Sequence, residues 1–130
     1  MPDATRVLLI ENDLFFTAKI LSALDKMGCS STTVSRRDEI EPKLSEGRTD
    51  LVIINLASPV LGSIETIELV KSLPDAPKVL AYLSHTKIPG VRDQVLDAGA
   101  DKLCANSAIS MRLPALVRDV LAGTGPREEE

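Results

Sequence analysis

The chain has 130 residues, 44% hydrophobic and 26% charged, which is typical of one folded domain with a buried core. Its net charge of −4 argues against binding to nucleic acid or to an anionic membrane, and its two cysteines are too few for a disulfide scaffold. No apolar stretch reaches the roughly 18 residues that span a bilayer, and no signal-peptide core precedes residue 7, so the sequence predicts a cytoplasmic protein.

Five short segments are predicted to be strands. Four of them are continuously apolar rather than alternating, which is typical of strands covered on both faces in a parallel sheet. The fifth, residues 31–35, is β-branched but polar and is predicted to lie at an edge. The apolar segments are residues 7–10, 51–54, 79–83 and 103–105.

Helical patterns fill the intervals and follow the last strand. The predicted helices are residues 14–27, 39–46, 64–73, 89–99 and 111–122. Asn12 or Asp13 is expected to cap the first helix and Ser63 the third, while Pro114 is tolerable only in a first turn. Strand–helix alternation predicts a doubly wound, three-layer α/β fold. It places the domain at residues 1–123 and a flexible tail or the start of a linker at residues 124–130.

Polar residues follow the predicted strands. In doubly wound folds the functional crevice lies at the carboxyl ends of the strands. The residues predicted to reach that crevice are Glu11, Asn12, Asp13, Asn55, Ser84, His85 and Asn106.

The order and spacing of four segments resemble the receiver domain of bacterial response regulators (CheY-like), over about residues 5–123. The segments are VLLIEND at 7–13, DLVIINLASP at 50–59, VLAYLS at 79–84 and AGAD at 98–101. The second includes Pro59, four residues after Asn55, as in the family. The resemblance implies a (βα)5 flavodoxin-like fold whose parallel five-stranded sheet has the order 2-1-3-4-5.

The chemistry departs from that family. The resemblance implies that a working receiver needs an aspartate acceptor, two further acids for Mg²⁺, a hydroxyl and a lysine, which act together in phosphoryl transfer. Asn55 stands at the acceptor position and has no carboxylate oxygen to form an acyl phosphate. Leu103 replaces the aromatic that usually reports switching. The other degenerate positions are Glu11 and Asn12 for the acid pair, Ser84 for the hydroxyl and Asn106 for the lysine.

These losses predict a site without catalytic residues or cofactors. Mg²⁺ is expected to bind weakly at most, through Glu11 and Asp13, because it prefers anionic oxygens. Asn55 could instead hydrogen-bond to Asn106 or Ser84. Asp13 is favoured as a helix cap over a metal ligand, and His85 as a solvated residue over a crevice ligand.

The leading interpretation is a pseudo-receiver that lacks the phosphoacceptor aspartate. It would be a phosphorylation-independent protein–protein interaction module in signal transduction, not an enzyme. The resemblance implies a partner on the face of the fourth helix, fifth strand and fifth helix, or a homodimer. Possible rim residues there are Val91, Arg92, Gln94, Val95, Lys102, Arg112 and Arg118. The alternative is a small-ligand-sensing domain that uses the vacated crevice.

Overall fold

Strands and helices alternate along the chain in the computed structural model, which describes residues 4–57 and 63–129. The strands are β1 (Arg6–Ile10), β2 (Ser30–Val34), β3 (Leu51–Asn55), β4 (Lys78–Leu83), β5 (Lys102–Ala105) and β6 (Glu128–Glu129). The helices are α1 (Leu14–Lys26), α2 (Ile40–Ser45, preceded by a 3-10 turn at Arg37–Glu39), α3 (Ile64–Lys71), α4 (Ile88–Ala98) and α5 (Asn106–Ala122).

All paired strands of the sheet are parallel. Its order is β2-β1-β3-β4-β5-β6, so the first five strands confirm the predicted order 2-1-3-4-5. The two-residue β6 extends the sheet beyond β5, where the sequence predicts a flexible tail. A polar sequence of this kind carries no strand signal, and its pairing depends on residues far away in the chain.

Two apolar layers enclose the sheet. Leu9 and Ile53 point to the layer formed with α1 and α5, while Ile10 and Ile54 point to the layer formed with α2, α3 and α4. Because successive strand residues face opposite layers, the residues on both faces of a strand must be apolar. This explains the continuous apolar runs in the sequence.

Side-chain caps begin two of the helices. Asp13 Oδ1 accepts from Phe16 N at 3.1 Å at the start of α1, and Ser63 Oγ accepts from Thr66 N at 3.2 Å at the start of α3. Both caps confirm the sequence prediction, which left Asn12 open as the alternative to Asp13. None of the helices within the described ranges is long and apolar enough to cross a bilayer.

Helix α5 begins earlier than predicted, at Asn106 rather than near residue 111. Arg112 has non-helical dihedral angles (φ −132°, ψ 23°), so a kink divides α5 into two segments. Pro114 falls in the first turn of the second segment, where its missing N–H costs no helical hydrogen bond. The condition placed on Pro114 by the sequence is therefore met, whereas the first turn of α5, before residue 111, was not predicted.

Candidate functional site

Three buried polar side chains meet at the carboxyl ends of the central strands. Glu11 directly follows β1, Asn55 is the last residue of β3, and Tyr82 lies opposite Asn55 in β4. Their exposed fractions are 1%, 7% and 0%. The adjacency of β1, β3 and β4 in the sheet brings these residues together, although more than 40 positions separate Glu11 from Asn55.

The Glu11 carboxylate accepts hydrogen bonds from four protein groups. Asn55 Nδ2 donates to Oε1 at 2.8 Å and to Oε2 at 2.9 Å, and the Tyr82 hydroxyl donates to Oε1. The backbone N–H groups of Asn12 and Asp13 donate to Oε2 at 2.9 and 3.2 Å. A buried carboxylate is tolerated when donors replace its hydration in this way.

The amide of Asn55 has one orientation that satisfies its neighbours. Its Nδ2 faces the Glu11 carboxylate, and its Oδ1 accepts from Ala57 N at 2.8 Å. A flipped amide would set oxygen against carboxylate and nitrogen against N–H. An aspartate cannot take both roles, because it has no donor while ionised. Asn55 therefore connects β1 to the loop that follows β3.

Tyr82 closes the other side of the Glu11 carboxylate. Burial raises the pKa of the Tyr82 phenol far above its ordinary range, and the hydrogen bond to Glu11 and the nearby negative charge raise it further. The phenol therefore remains a donor. The Phe16 ring packs beside it at a centroid distance of 5.8 Å. Sequence reasoning missed this role, although the position of Tyr82 two residues before Ser84 could have indicated it.

The other predicted residues surround this network without joining it through their side chains. Asn12 and Asp13 contribute backbone N–H groups, while both side chains are exposed. Ser84 Oγ lies 3.0 Å from Thr86 Oγ1, and His85 is exposed.

Asn106 begins α5, and its buried Oδ1 has no hydrogen-bond partner among the residues that the structure describes. Because Asn55 is bonded to Glu11 and Ala57, the predicted bonds from Asn55 to Asn106 or Ser84 are wrong. Pro59, which supports the sequence register of Asn55, lies outside the described residues.

The described residues contain no group of three or more His, Cys, Asp or Glu side chains that could hold a metal ion. Both oxygens of Glu11 already accept from protein donors, and Asp13 Oδ1 caps α1. Mg²⁺ would have to displace the Asn55 amide or the Tyr82 hydroxyl from Glu11. Weak binding through Glu11 and Asp13 stays a prediction.

The face of α4, β5 and α5 differs from the prediction at two residues. Val95 and Lys102, named as rim residues, are 0% and 1% exposed and belong to the interior. Arg92 forms an ion pair with Glu128 of β6. Arg112 and Arg118 are exposed as expected.

The fold, with this crevice at the carboxyl ends of its strands, is that of response regulator receiver domains. A LuxR-family two-component response regulator from Aurantimonas sp. SI85-9A1 has a TM-score of 0.80 and 19% identity, covering 97% of this chain and 89% of that one. CheY4 of Vibrio cholerae has a TM-score of 0.74 and 18% identity, covering 89% and 98%.

A CheY-like receiver domain protein from Methanospirillum hungatei JF-1 has a TM-score of 0.81 and 17% identity, covering 92% of this chain and 95% of that one. No family model matches the sequence, and a search of the curated proteins found no match. At these identities the similarity shows the fold.

Proposed function

We propose that this chain is a pseudo-receiver, a receiver fold that acts in signal transduction through protein contacts and without phosphorylation. The hydrogen-bonded network of Glu11, Asn55 and Tyr82 carries the proposal. The proposed role in signal transduction is supported by similar folds that are named as response regulators, among them a two-component regulator.

Both the acceptor residue and the residues around it disfavour phosphorylation. The Asn55 amide cannot form an acyl phosphate, and its nitrogen faces the carboxylate on which Mg²⁺ would depend. Asn106 supplies no positive charge at the lysine position. Since phosphoryl transfer depends on charge neutralisation by several groups together, these changes reinforce one another.

The hydrogen bonds of Glu11, Asn55 and Tyr82 hold the carboxyl ends of three strands together. Glu11 and Tyr82 join β1 to β4, while Asn55 joins β3 to both Glu11 and the backbone at Ala57. Leu103, at the position of the switching aromatic, is fully buried. These contacts favour one conformation of the crevice and a constant outer surface, which suits an interaction module and not an enzyme.

Acetyl phosphate labelling tests this proposal. The full chain is incubated with acetyl phosphate and Mg²⁺, and intact mass is measured beside a phosphorylatable receiver domain as the positive control. We expect no phosphoryl adduct on the wild type or on Asn55→Asp, because Asn12 and Asn106 remain neutral in that variant. A stoichiometric adduct on the wild-type chain would refute phosphorylation independence.

A ligand-sensing role is supported by one observation, the buried Asn106 Oδ1 that lacks a partner among the described residues. Such an acceptor is stabilised by a donor from a small polar molecule. Thermal unfolding in the presence of a panel of neutral polar compounds tests this role. A compound that raises the melting temperature of the wild type, but not of Asn106→Ala, would favour sensing over an interaction module.

A further inference from the structure

The chain returns along the edge of the sheet after α5. Residues 124–129, here called the return segment, lie beside β5, and Leu103 N donates to Arg127 O at 2.6 Å. The pairing is parallel, with Leu103 opposite Glu128 and Cys104 opposite Glu129. The return segment therefore occupies an edge whose backbone groups are a template for another strand.

Arginine contacts join the return segment to α4 and to the turn that follows it. Arg92 of α4 donates through Nε and Nη2 to the Glu128 carboxylate, with an Nη2–Oε2 distance of 3.0 Å. Arg127 Nη2 donates to the carbonyl oxygens of Leu96 and Ala100 at 2.9 and 2.7 Å. The C-terminal end of α4 favours a cation because its carbonyls carry partial negative charge.

A buried lysine also bonds to the return segment. Lys102 is 1% exposed, and its Nζ donates to Pro126 O at 2.5 Å. Lysine is almost never fully buried unless it is paired. The edge of β5 thus offers an extended backbone three kinds of recognition: strand pairing, a lysine donor for a carbonyl, and a charge-specific contact with Arg92.

The attachment of the return segment is short. Strand β6 has two residues, and the connection from α5 passes through Gly123 and Gly125, whose φ angles are 71° and 79°. Residues 124–127 are exposed. A short strand joined through glycines and largely exposed opens at lower free energy than the core strands.

We propose that the edge of β5 is a binding site for an extended partner segment, and that the return segment fills this site within its own chain. The partner would add as a parallel strand and carry a basic residue followed directly by an acidic one. The acidic residue would bind Arg92, and the basic residue the carbonyls of Leu96 and Ala100. This proposal rests on the proposed function, since it specifies the partner of the α4–β5–α5 face.

Peptide binding to a variant with a weakened return segment tests the site. The variant is the full chain with Arg127→Ala and Glu128→Ala, and the probe is a fluorescein-labelled peptide with the sequence of residues 123–130. We expect saturable anisotropy with this variant and much weaker binding to the wild type, whose own segment competes. The matched control removes an exposed ion pair elsewhere, Arg36→Ala with Asp38→Ala, and should behave as the wild type.

Charge exchange tests recognition by Arg92. Adding Arg92→Glu to the weakened variant should reduce peptide affinity by about tenfold, as expected for the loss of one charge-assisted contact. A peptide with arginine at the Glu128 position should recover that affinity. Absence of binding to a folded weakened variant, or binding that Arg92→Glu leaves unchanged, would overturn the proposal.

Hydrogen exchange of the wild type provides a measurement that does not depend on the variant folding. The amide of Leu103, which bonds to the return segment, should exchange through local opening at a lower free energy than the amides of β3. Exchange of both only through global unfolding would also overturn the proposal, since the site would never open. An acetyl phosphate adduct would refute the proposed function and leave these peptide results standing.

Discussion

The side chain of Asn55 donates to Glu11 and accepts from the backbone at Ala57, so both ends of the amide are used. Together these two contacts explain why an amide is favoured at position 55. A carboxylate would face Glu11 at the 2.8 and 2.9 Å that now separate donor from acceptor. Two buried carboxylates at that separation repel each other strongly.

Asn55→Asp should therefore destabilise the protein by about 1–3 kcal/mol at neutral pH. Stability should partly return as the pH falls, because protonation removes one of two like charges. Urea unfolding at pH 5 and pH 7 measures both effects. The exposed substitution Asn12→Asp adds the same charge nearby and should change stability little. Equal stability of Asn55→Asp and the wild type at pH 7 would contradict the network.

Tyr82→Phe isolates the hydroxyl that donates to Glu11. Loss of this donor to a buried carboxylate should cost about 1–3 kcal/mol at neutral pH. The chain has one tyrosine, so the substitution removes its only phenol.

The pH dependence of this cost follows from the raised pKa of Tyr82. Folding keeps the phenol protonated, whereas the unfolded chain loses that proton above the ordinary pKa of 10.0. The stabilisation is complete below that pH and is lost progressively as the pH rises above it. The wild type should lose its advantage over Tyr82→Phe between about pH 9.5 and 11.5. Urea unfolding of both proteins would show a constant difference instead if the hydroxyl were not held in the fold.

The sequence predicts the residues at the strand ends but not their hydrogen bonds. Glu11 and Asn55 were found because a polar residue that directly follows, or ends, an apolar run is expected at the carboxyl end of a strand. Tyr82 was missed because it lies within an apolar run that predicts core side chains, although its place two residues before Ser84 sets it near the same strand end. The choice between Asn106 and Glu11 as the partner of Asn55 depends on distances of a few ångström, which spacing does not determine.

At the scale of elements, the turn between α4 and β5 joins three parts of the fold. Asp101 Oδ2 accepts from Lys71 Nζ at 3.0 Å and from Val79 N at 2.8 Å, so it connects α3, β4 and β5. Gly99 precedes it with φ 112°, and a Cβ there would lie 2.9 Å from Lys71 Cγ. The turn therefore requires glycine for both conformation and space.

Gly99→Ala should cost about 1–3 kcal/mol, from the strained backbone and from displacement of Lys71. Gly90 of α4 is the matched control, since a Cβ there meets nothing within 4 Å. Gly90→Ala should leave stability unchanged or raise it by up to about 1 kcal/mol. Thermal and urea unfolding of the two variants measure the contrast. Similar effects in both would show that the Gly99 turn relaxes freely.

The elements themselves were largely predictable, apart from two at the C-terminal end of the chain. Apolar runs, caps and glycines identified five strands and five helices. The first turn of α5 was missed because Asn106 and Ser107 are weak helix formers and the kink at Arg112 separates them from the periodic part. Strand β6 was missed because one ion pair and polar contacts of the residues just before it hold it in place, not apolar side chains.

At the scale of the whole molecule, the sheet separates two apolar layers. Ile20 of α1 belongs to one layer and Ile67 of α3 to the other, and both are almost fully buried. Ile20→Val and Ile67→Val should each cost about 0.5–1.5 kcal/mol. Because strands lie between them, the double variant should equal the sum within about 0.5 kcal/mol. A coupling energy above about 1 kcal/mol in urea unfolding would contradict this independence.

The contacts of Asn55 also bear on the chemical ageing of the protein. Asparagine deamidates when the backbone nitrogen of the next residue attacks its side-chain carbonyl carbon, and at position 55 the product would be a carboxylate. Here that nitrogen, Leu56 N, donates to Tyr82 O at 3.0 Å, while Glu11 and Ala57 hold the amide itself. Ring closure would require breaking these bonds inside the fold. The hydrogen bonds that shape the crevice therefore slow the deamidation of Asn55. We expect the crevice to keep its amide as the protein ages.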